Sequence, residues 1–264
     1  MAELPSDIAR LQTRLSAVRA ANGIVHAIWA LSRAQLTQIE AIWVDASTYL
    51  DWVDEVVARL AGPPAPAPTA RSLYVVLGPE RAFCAGLPQE IARCLPRQVA
   101  LGVSGQRLAE TLSSRPELAQ RIVFELPGPS SADDIEDACE QLAQAVLSYG
   151  RDRHVVLGYP RAGVPGLCSA TLLSGPRPLG PAQNLDTFSP PGELLEAAVS
   201  ESVTARLRVG LTEALRSEIR TRAAAAESAR HAAQRQLDEL DAALRVFAQE
   251  QITNELVELY AGRL

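Results

Sequence analysis

Helix breakers are nearly absent from two long stretches of this sequence, one at each end, and that absence limits the available folds more than any other feature. Between Pro5 and Gly62 the only glycine or proline is Gly23, and after Pro191 and Gly192 only Gly210 and Gly262 occur. A helix interior tolerates an isolated glycine at a cost of about 1 kcal/mol and rejects proline. Both ends can therefore form long helices. In the first stretch Leu11, Leu15, Val18, Asn22, Val25, Trp29, Ser32, Leu36, Ile39, Trp43, Ala46, Leu50, Val53, Val57 and Leu60 follow one another at alternating spacings of four and three. All but Asn22 and Ser32 are apolar. A straight helix drifts away from a strict seven-residue repeat, so a seam kept this long predicts a coiled coil. Ser6 is read as its N-cap. Some 55 helical residues would span roughly 80 Å, a rod no compact domain of this size needs inside itself.

The carboxyl-terminal stretch carries a different seam. Leu207, Leu211, Leu215 and Ile219 are four apart, an alanine-rich run from Ala223 to Ala233 follows, and Leu237, Leu240, Leu244 and Phe247 return to heptad spacing. Small residues in that run let a partner helix approach closely. About 70 helical residues would reach roughly 105 Å, longer than the first helix, so an antiparallel pairing would leave the second helix overhanging.

The period changes between the two helices. GPPAPAPTA at 62–70 reads as a stiff linker. LYVVL at 73–77, QVALGV at 98–103, RIVFEL at 121–126 and HVVLG at 154–158 are short β-branched runs, separated by helix-compatible stretches near 86–95, 105–114 and 131–149. Strands alternating with helices predict a small parallel sheet, with a further strand near Ala170–Leu173. The fold class is thus α/β: a first long helix over 1–61, the linker over 62–70, a Rossmann-like central domain over 71–187, and a second long helix over 188–264.

Composition narrows the functions. All 25 basic residues are arginine, against 31 acidic residues, giving a net charge of −6. That balance argues against a nucleic-acid binder, and the lack of lysine excludes a Walker A loop or a Schiff base. Cys84, Cys94, Cys139 and Cys168 form no Cys-x-x-Cys pair and are expected to be reduced, mostly buried thiols. No metal or cofactor is expected. With no apolar run of about 18 residues and no signal-like start, the expectation is a cytosolic protein without direct membrane insertion.

Few residues suggest catalysis. His26 and His231 fall on the long helices and His154 opens a strand, so no Ser/His/Asp triad can be assembled. Asp133 and Asp134 are placed to favour a helix start. The spacing from Gly78 to Gly86 does not fit a dinucleotide fingerprint, and Pro79 removes an amide donor. RAFCAGLP at 81–88 looks like the oxyanion-hole segment of the enoyl-CoA hydratase (crotonase) family, but that family should open with strands rather than a long heptad seam. Arg216, Arg220, Arg222, Arg230 and Arg235, interleaved with Glu213, Glu218, Glu227, Asp238 and Glu239, are expected to form a solvated, salt-bridged helix surface.

Three separated segments, in order, resemble one family, the F-type ATP synthase gamma subunit. In the first, RLSAVRAANGIVHAIWALSRAQ at 14–35, Arg14, Leu15, Val18, Arg19, Ile24 and Ala27 align with the family's amino-terminal helix. The second, LGPERAFCAGL at 77–87, resembles the family's Asp-Arg-Gly-Leu-Cys-Gly-Gly turn and keeps Arg81, Cys84 and Gly86. The third, QEQITNELVEL at 249–259, is similar to the Gln-x-x-Ile-Thr-x-Glu signature and keeps Gln249, Ile252, Thr253, Glu255 and Glu258. LRSEIRTRAAA at 215–225 adds Ser217, Glu218 and Arg222. The departures, such as IWALSRAQ at 28–35 in place of a Met- and Lys-bearing stretch and Val246 and Ala248 in place of arginines, fit a divergent member or an N-type paralogue.

The resemblance implies a fold and a role. The two end helices would form an antiparallel, left-handed coiled coil, with the α/β domain beside the membrane rotor c-ring. The longer helix would project into a ring of three alpha and three beta subunits. The chain would be a non-catalytic rotor that couples proton or sodium flow to ATP synthesis or hydrolysis, with an epsilon subunit as a further partner, at the cytoplasmic face of a bacterial inner membrane. Arg14, Arg19, Arg222, Gln249, Thr253, Glu255 and Glu258 would be rotor–stator contacts. A coiled-coil scaffold with an α/β binding domain, which would form a homodimer, is the alternative from another class, and a crotonase-like acyl-CoA enzyme is a third.

Overall fold

The computed structural model describes residues 4–61, 72–150, 153–174 and 189–261. The expected linker at 62–70 and most of the Pro/Gly-rich stretch before Pro191 lie outside the described residues. The chain begins with helix α1 (Leu4–Leu60) and ends with helix α6 (Pro191–Ala261). Helix α1 starts at Leu4, so Ser6 lies within it and is not its N-cap. Between these helices come β1 (Ser72–Leu77), α2 (Leu87–Cys94), β2 (Ala100–Ser104), α3 (Gln106–Ser113), α4 (Pro116–Ala119) and β3 (Ile122–Leu126), then α5 (Ile135–Gly150), β4 (His154–Arg161) and β5 (Val164–Leu173). No helix among the described residues is long and apolar enough to cross a membrane.

Every residue of the α1 seam is buried or half-buried, the result expected when a seven-residue repeat faces a partner along its whole length. The described residues divide into two compact units, one formed by residues 1–31 with 223–264 and the other by 32–222. In the first unit Leu15 packs with Leu237 and Leu240, flanked by Leu11, Val18 and Leu244. Arg230 lies over the Trp29 ring at 5.5 Å. Positions rising along α1 meet positions falling along α6, so the two helical arms of this unit are antiparallel.

The second unit is built on a five-stranded sheet of order β3-β2-β1-β4-β5. The first four strands pair in parallel. Strand β5 returns antiparallel on β4, because only Ala162 and Gly163 separate them and a parallel return needs a long crossover. Strand β1 is covered on both faces, which is why it reads as a continuous apolar run. Leu73, Val75 and Leu77 pack with Cys139, Leu142 and Val146 of α5 and with Val203, Leu207 and Leu211 of α6. Val76 faces the other way, toward Ile91 of α2 and Leu108 and Leu112 of α3. Burying a leucine such as Leu211 contributes about 1.5–3 kcal/mol, and α6 supplies several. Its backbone closes on the sheet at Gly210, where an added Cβ would stand 2.7 Å from Leu157 and 3.2 Å from Leu77.

The acidic pair lies in a 3-10 turn, Ala132–Asp134, that leads directly into α5. The Asp134 carboxylate accepts the Ser131 N–H at 2.9 Å and forms a capping box with Ser131. Further along the unit Ile39 of α1 packs with Ile135, Leu215 and Ile219. Arg216 lies over Trp43 at 4.8 Å, and Arg206 holds Asp54 with both carboxylate oxygens, at 2.6 and 2.7 Å.

Candidate functional site

In an open α/β sheet, ligands bind beyond the carboxyl ends of the strands, where the strand order reverses. In this sheet that point lies between β1 and β4. The loop after β1, residues 78–86, is the second of the three family-like segments, and the part of α6 carrying Ser217, Glu218 and Arg222 docks against it. Glu218 accepts the Glu80 N–H at 2.8 Å and the Arg81 N–H at 3.2 Å. The same carboxylate pairs with Arg222, whose Nε donates to the Ala82 carbonyl at 3.4 Å. Five residues earlier on α6, Glu213 accepts the Ala162 N–H, just after β4, at 3.3 Å and pairs with Arg216 at 3.0 Å.

Glu80 extends the network to the remaining strand ends. Its carboxylate accepts the Gln106 N–H, at the start of α3, at 2.8 Å and the Gly128 N–H, after β3, at 2.8 Å. The N-cap of α3 is Gly105, which has no side chain to offer, so Glu80 supplies the anion that a helix N-terminus favours. Three carboxylates thus tie the loops after β1, β2, β3 and β4 to one another and to α6. Glu80 occupies the place where such folds present N–H groups to a bound phosphate.

This arrangement corrects two expectations. Glu213 and Glu218 are each only 2% exposed and Arg222 6%, so this part of α6 is not a solvated salt-bridged face, and Arg222 lies inside the chain rather than on an exposed contact surface. Its burial follows from helix geometry, because Ala214, Glu218 and Arg222 stand four apart beside the buried Leu211 and Leu215. The oxyanion-hole reading of RAFCAGLP also loses a donor beside its glycine, since the Leu87 N–H already bonds to the Cys84 carbonyl at 3.0 Å.

Electrostatics sharpen the picture. Burial pushes the Glu218 carboxyl above its ordinary value of 4.5, opposed by the Glu80 N–H, the Arg222 charge and the Arg81 N–H. Because folding raises this pKa, its contribution favours the native state fully below pH 4.5 and is lost as pH rises through the higher folded value. The stability advantage of the wild type over Glu218→Gln is therefore expected to widen as pH falls from 7 toward 4.5. Urea unfolding of both proteins across that range measures it, and a constant difference would refute the shift. Cys84 is buried, donates its thiol to the Arg81 carbonyl at 2.9 Å, and is pushed up to about 11 by burial, so it is protonated at neutral pH.

The loop is also strained. Phe83 and Ala85 have φ of 65° and 45°, a left-handed conformation that costs a non-glycine residue about 1 kcal/mol. Ala85→Gly is expected to raise stability by about 0.5–1 kcal/mol, read as a rise in unfolding midpoint; a fall would show that the loop depends on the alanine. Phe83 itself is exposed.

The other expected site residues fall elsewhere. Arg81 and Gly86 are exposed on this loop, and Gly86 precedes α2. Arg14, Arg19, Gln249, Thr253 and Glu255 belong to the unit formed by residues 1–31 and 223–264 and are exposed. The side chain of Glu258 lies outside the described residues. Arg19 meets Asp241 at 3.3 Å. Gln249 and Thr253 line one shallow depression with Val246, Glu250 and Asn254, and the surrounding end of α6 leaves Ile252, Leu256, Val257, Leu259 and Tyr260 exposed.

Comparison with known proteins adds the following. The family model described as ATP synthase matches residues 7–263. No curated protein matches in sequence. A chain of the Euglena gracilis mitochondrial ATP synthase OSCP/F1/c-ring assembly, in rotational state 3, superposes with a TM-score of 0.68 at 15% identity, covering 98% of this chain and 94% of that one. A chain of the Euglena gracilis rotor, in rotational state 1, gives 0.62 at 14% identity, over 94% and 99%. A chain of the Tetrahymena thermophila mitochondrial ATP synthase central stalk/c-ring gives 0.53 at 12% identity, over 78% and 99%. At these identities the structural likeness shows the fold.

Proposed function

This chain belongs to the ATP synthase gamma-subunit family, and from that premise we propose that it is the central rotor shaft coupling transmembrane ion flow to ATP synthesis or hydrolysis. The observation that carries the reading is the family match itself, which runs from residue 7 to residue 263 and so includes both long helices and the sheet between them. An acyl-CoA enzyme or a free scaffold would have no reason to share that order over the whole chain.

In this reading the chain is a peripheral member of the complex at the cytoplasmic face of a bacterial inner membrane. It turns within a ring of three alpha and three beta subunits, and an epsilon subunit and a c-ring complete the rotor. The ATP chemistry resides in the ring. The exposed apolar end of α6 has the character of a surface completed by partners rather than by water. Arg14, Arg19, Gln249, Thr253, Glu255 and Glu258 are the contact residues, and the depression shared by Gln249 and Thr253 gives a surrounding subunit a place to grip.

Co-expression with the neighbouring alpha and beta subunits tests this. One copy is expected to co-elute with three of each, and multisite ATPase activity to appear only in its presence. Gln249→Ala with Thr253→Ala should weaken coupled activity without altering assembly. A homodimer that leaves ATPase activity unchanged would instead favour the scaffold.

A further inference from the structure

A rotor shaft must pass torque between its α/β unit and its long helix, and among the described residues of 32–222 two kinds of contact join them besides the exposed Arg208–Glu136 pair to α5. The first is the apolar packing of Val203, Leu207, Leu211 and Ala214 on the sheet. Such packing is non-directional, so it resists separation more than turning of the helix about its own axis. The second is directional. Glu213 and Glu218 of α6 hold backbone N–H groups at the ends of β4 and β1, at 3.3 Å and at 2.8 and 3.2 Å. Arg222 closes on the Ala82 carbonyl at 3.4 Å. Turning α6 in place breaks these bonds and strands the Glu80, Arg81 and Ala162 N–H groups, while the Glu213–Arg216 and Glu218–Arg222 pairs turn with the helix.

We propose that Glu213, Glu218 and Arg222 form a torsional clamp that fixes the rotational setting of α6 on the α/β unit, making them positioning residues for mechanical coupling. Glu80 spreads the load. Its carboxylate bonds Gln106 and Gly128, so a force applied to the loop after β1 is shared by the loops after β2 and β3. The clamp binds backbone rather than side chains at the sheet, and rotation about a side-chain torsion of the sheet cannot release it. Burial of both carboxylates protects the bonds from competing water. The left-handed residues Phe83 and Ala85 lie beside the bonded segment, as expected of a loop whose shape is set from outside.

The inference rests on the rotor reading, and the experiment separates the two. The complete complex is reconstituted in vesicles with the wild-type chain, Glu218→Gln, Glu213→Gln, or the control Arg59→Gln, which alters only an exposed ion pair with Glu55. ATP hydrolysis and ion transport are measured on the same vesicles. The clamp variants are expected to keep hydrolysis within about twofold while ions moved per ATP fall at least threefold, with Arg59→Gln unchanged. A merely structural role would lower both activities together through loss of assembled complex and leave the ratio intact. If Glu218→Gln does not assemble, Glu213→Gln decides, because the amide fills the same space and Arg216 keeps Glu40 as a partner, while the charge-assisted bond from the Ala162 N–H is replaced by a weaker neutral one. An assembled clamp variant with an unchanged ratio overturns the proposal. Failure of the wild-type chain to support ion transport counts against the rotor reading instead.

Discussion

Replacing Glu218 by alanine is expected to lower the stability of the chain by about 3–5 kcal/mol, the usual cost of removing one partner from a buried ion pair. The substitution strands three donors at once: the Arg222 guanidinium and the Glu80 and Arg81 N–H groups. Arg222 is left with neutral partners, the Ala82 carbonyl and the Cys84 sulfur, and at 6% exposure it cannot turn to water for the rest. The same change at Glu55 should cost less than about 0.5 kcal/mol, because that carboxylate is 60% exposed and its pairing with Arg59 is screened. Urea unfolding of the two variants makes the comparison. A loss below about 1 kcal/mol for Glu218→Ala would mean that the pair adds little beyond its own desolvation cost. The double variant Glu218→Ala with Arg222→Ala should cost less than the sum of the single changes, since removing both charges leaves neither unpaired.

Much of the fold was legible in the sequence because long-range order was encoded as period. The α1 seam needed only spacing, and all its positions turned out to be buried or half-buried. The strands announced themselves as β-branched runs, and Asp133 and Asp134 marked a helix start. What escaped was whatever depends on a distant partner. Strand β5 extends to Val164, well before the run expected at Ala170, because its first half contains Pro165 and Gly166, which weaken a strand signal and are tolerated at a sheet edge. The carboxylate network escaped for the same reason. Glu213, Glu218 and Arg222 look like members of an ordinary charged helix surface, yet Leu211, Leu215 and Ile219 already marked the buried side. A period of 3.6 places Ala214, Glu218 and Arg222 on that side too, so the signal existed as a charged pair intruding on an apolar face. Glu80 carried no such mark, since its partners, the N–H groups of Gln106 and Gly128, offer no side-chain pattern to read.

Gly105→Ala is expected to be as damaging as the loss of Glu218, for a reason of backbone geometry. Gly105 has φ of 117° and ψ of 115°, a conformation that side-chain-bearing residues adopt only under strain of about 1–3 kcal/mol. A Cβ there would also stand 2.3 Å from the Gly78 carbonyl oxygen and 3.0 Å from that of Pro79. Both obstacles are backbone atoms, so neither can swing aside as a side chain would. The backbone has little freedom to shift, because the Gly105 N–H bonds to Leu126, Gly78 bonds to Ser104, and Arg107 and Leu108 bond to Pro79. Relieving the clash would pull the Gln106 N–H away from Glu80 and loosen the loop that Glu218 holds. Clash and strain together should cost at least about 3 kcal/mol. By contrast Gly23, in the middle of α1, has open space where a Cβ would go, and Gly23→Ala should stabilise the helix by about 0.5–1 kcal/mol. Unfolding midpoints of the two variants should therefore move in opposite directions. A Gly105→Ala protein as stable as the wild type would show that the strand ends can rearrange independently, and the load sharing assigned to Glu80 would then fail with it.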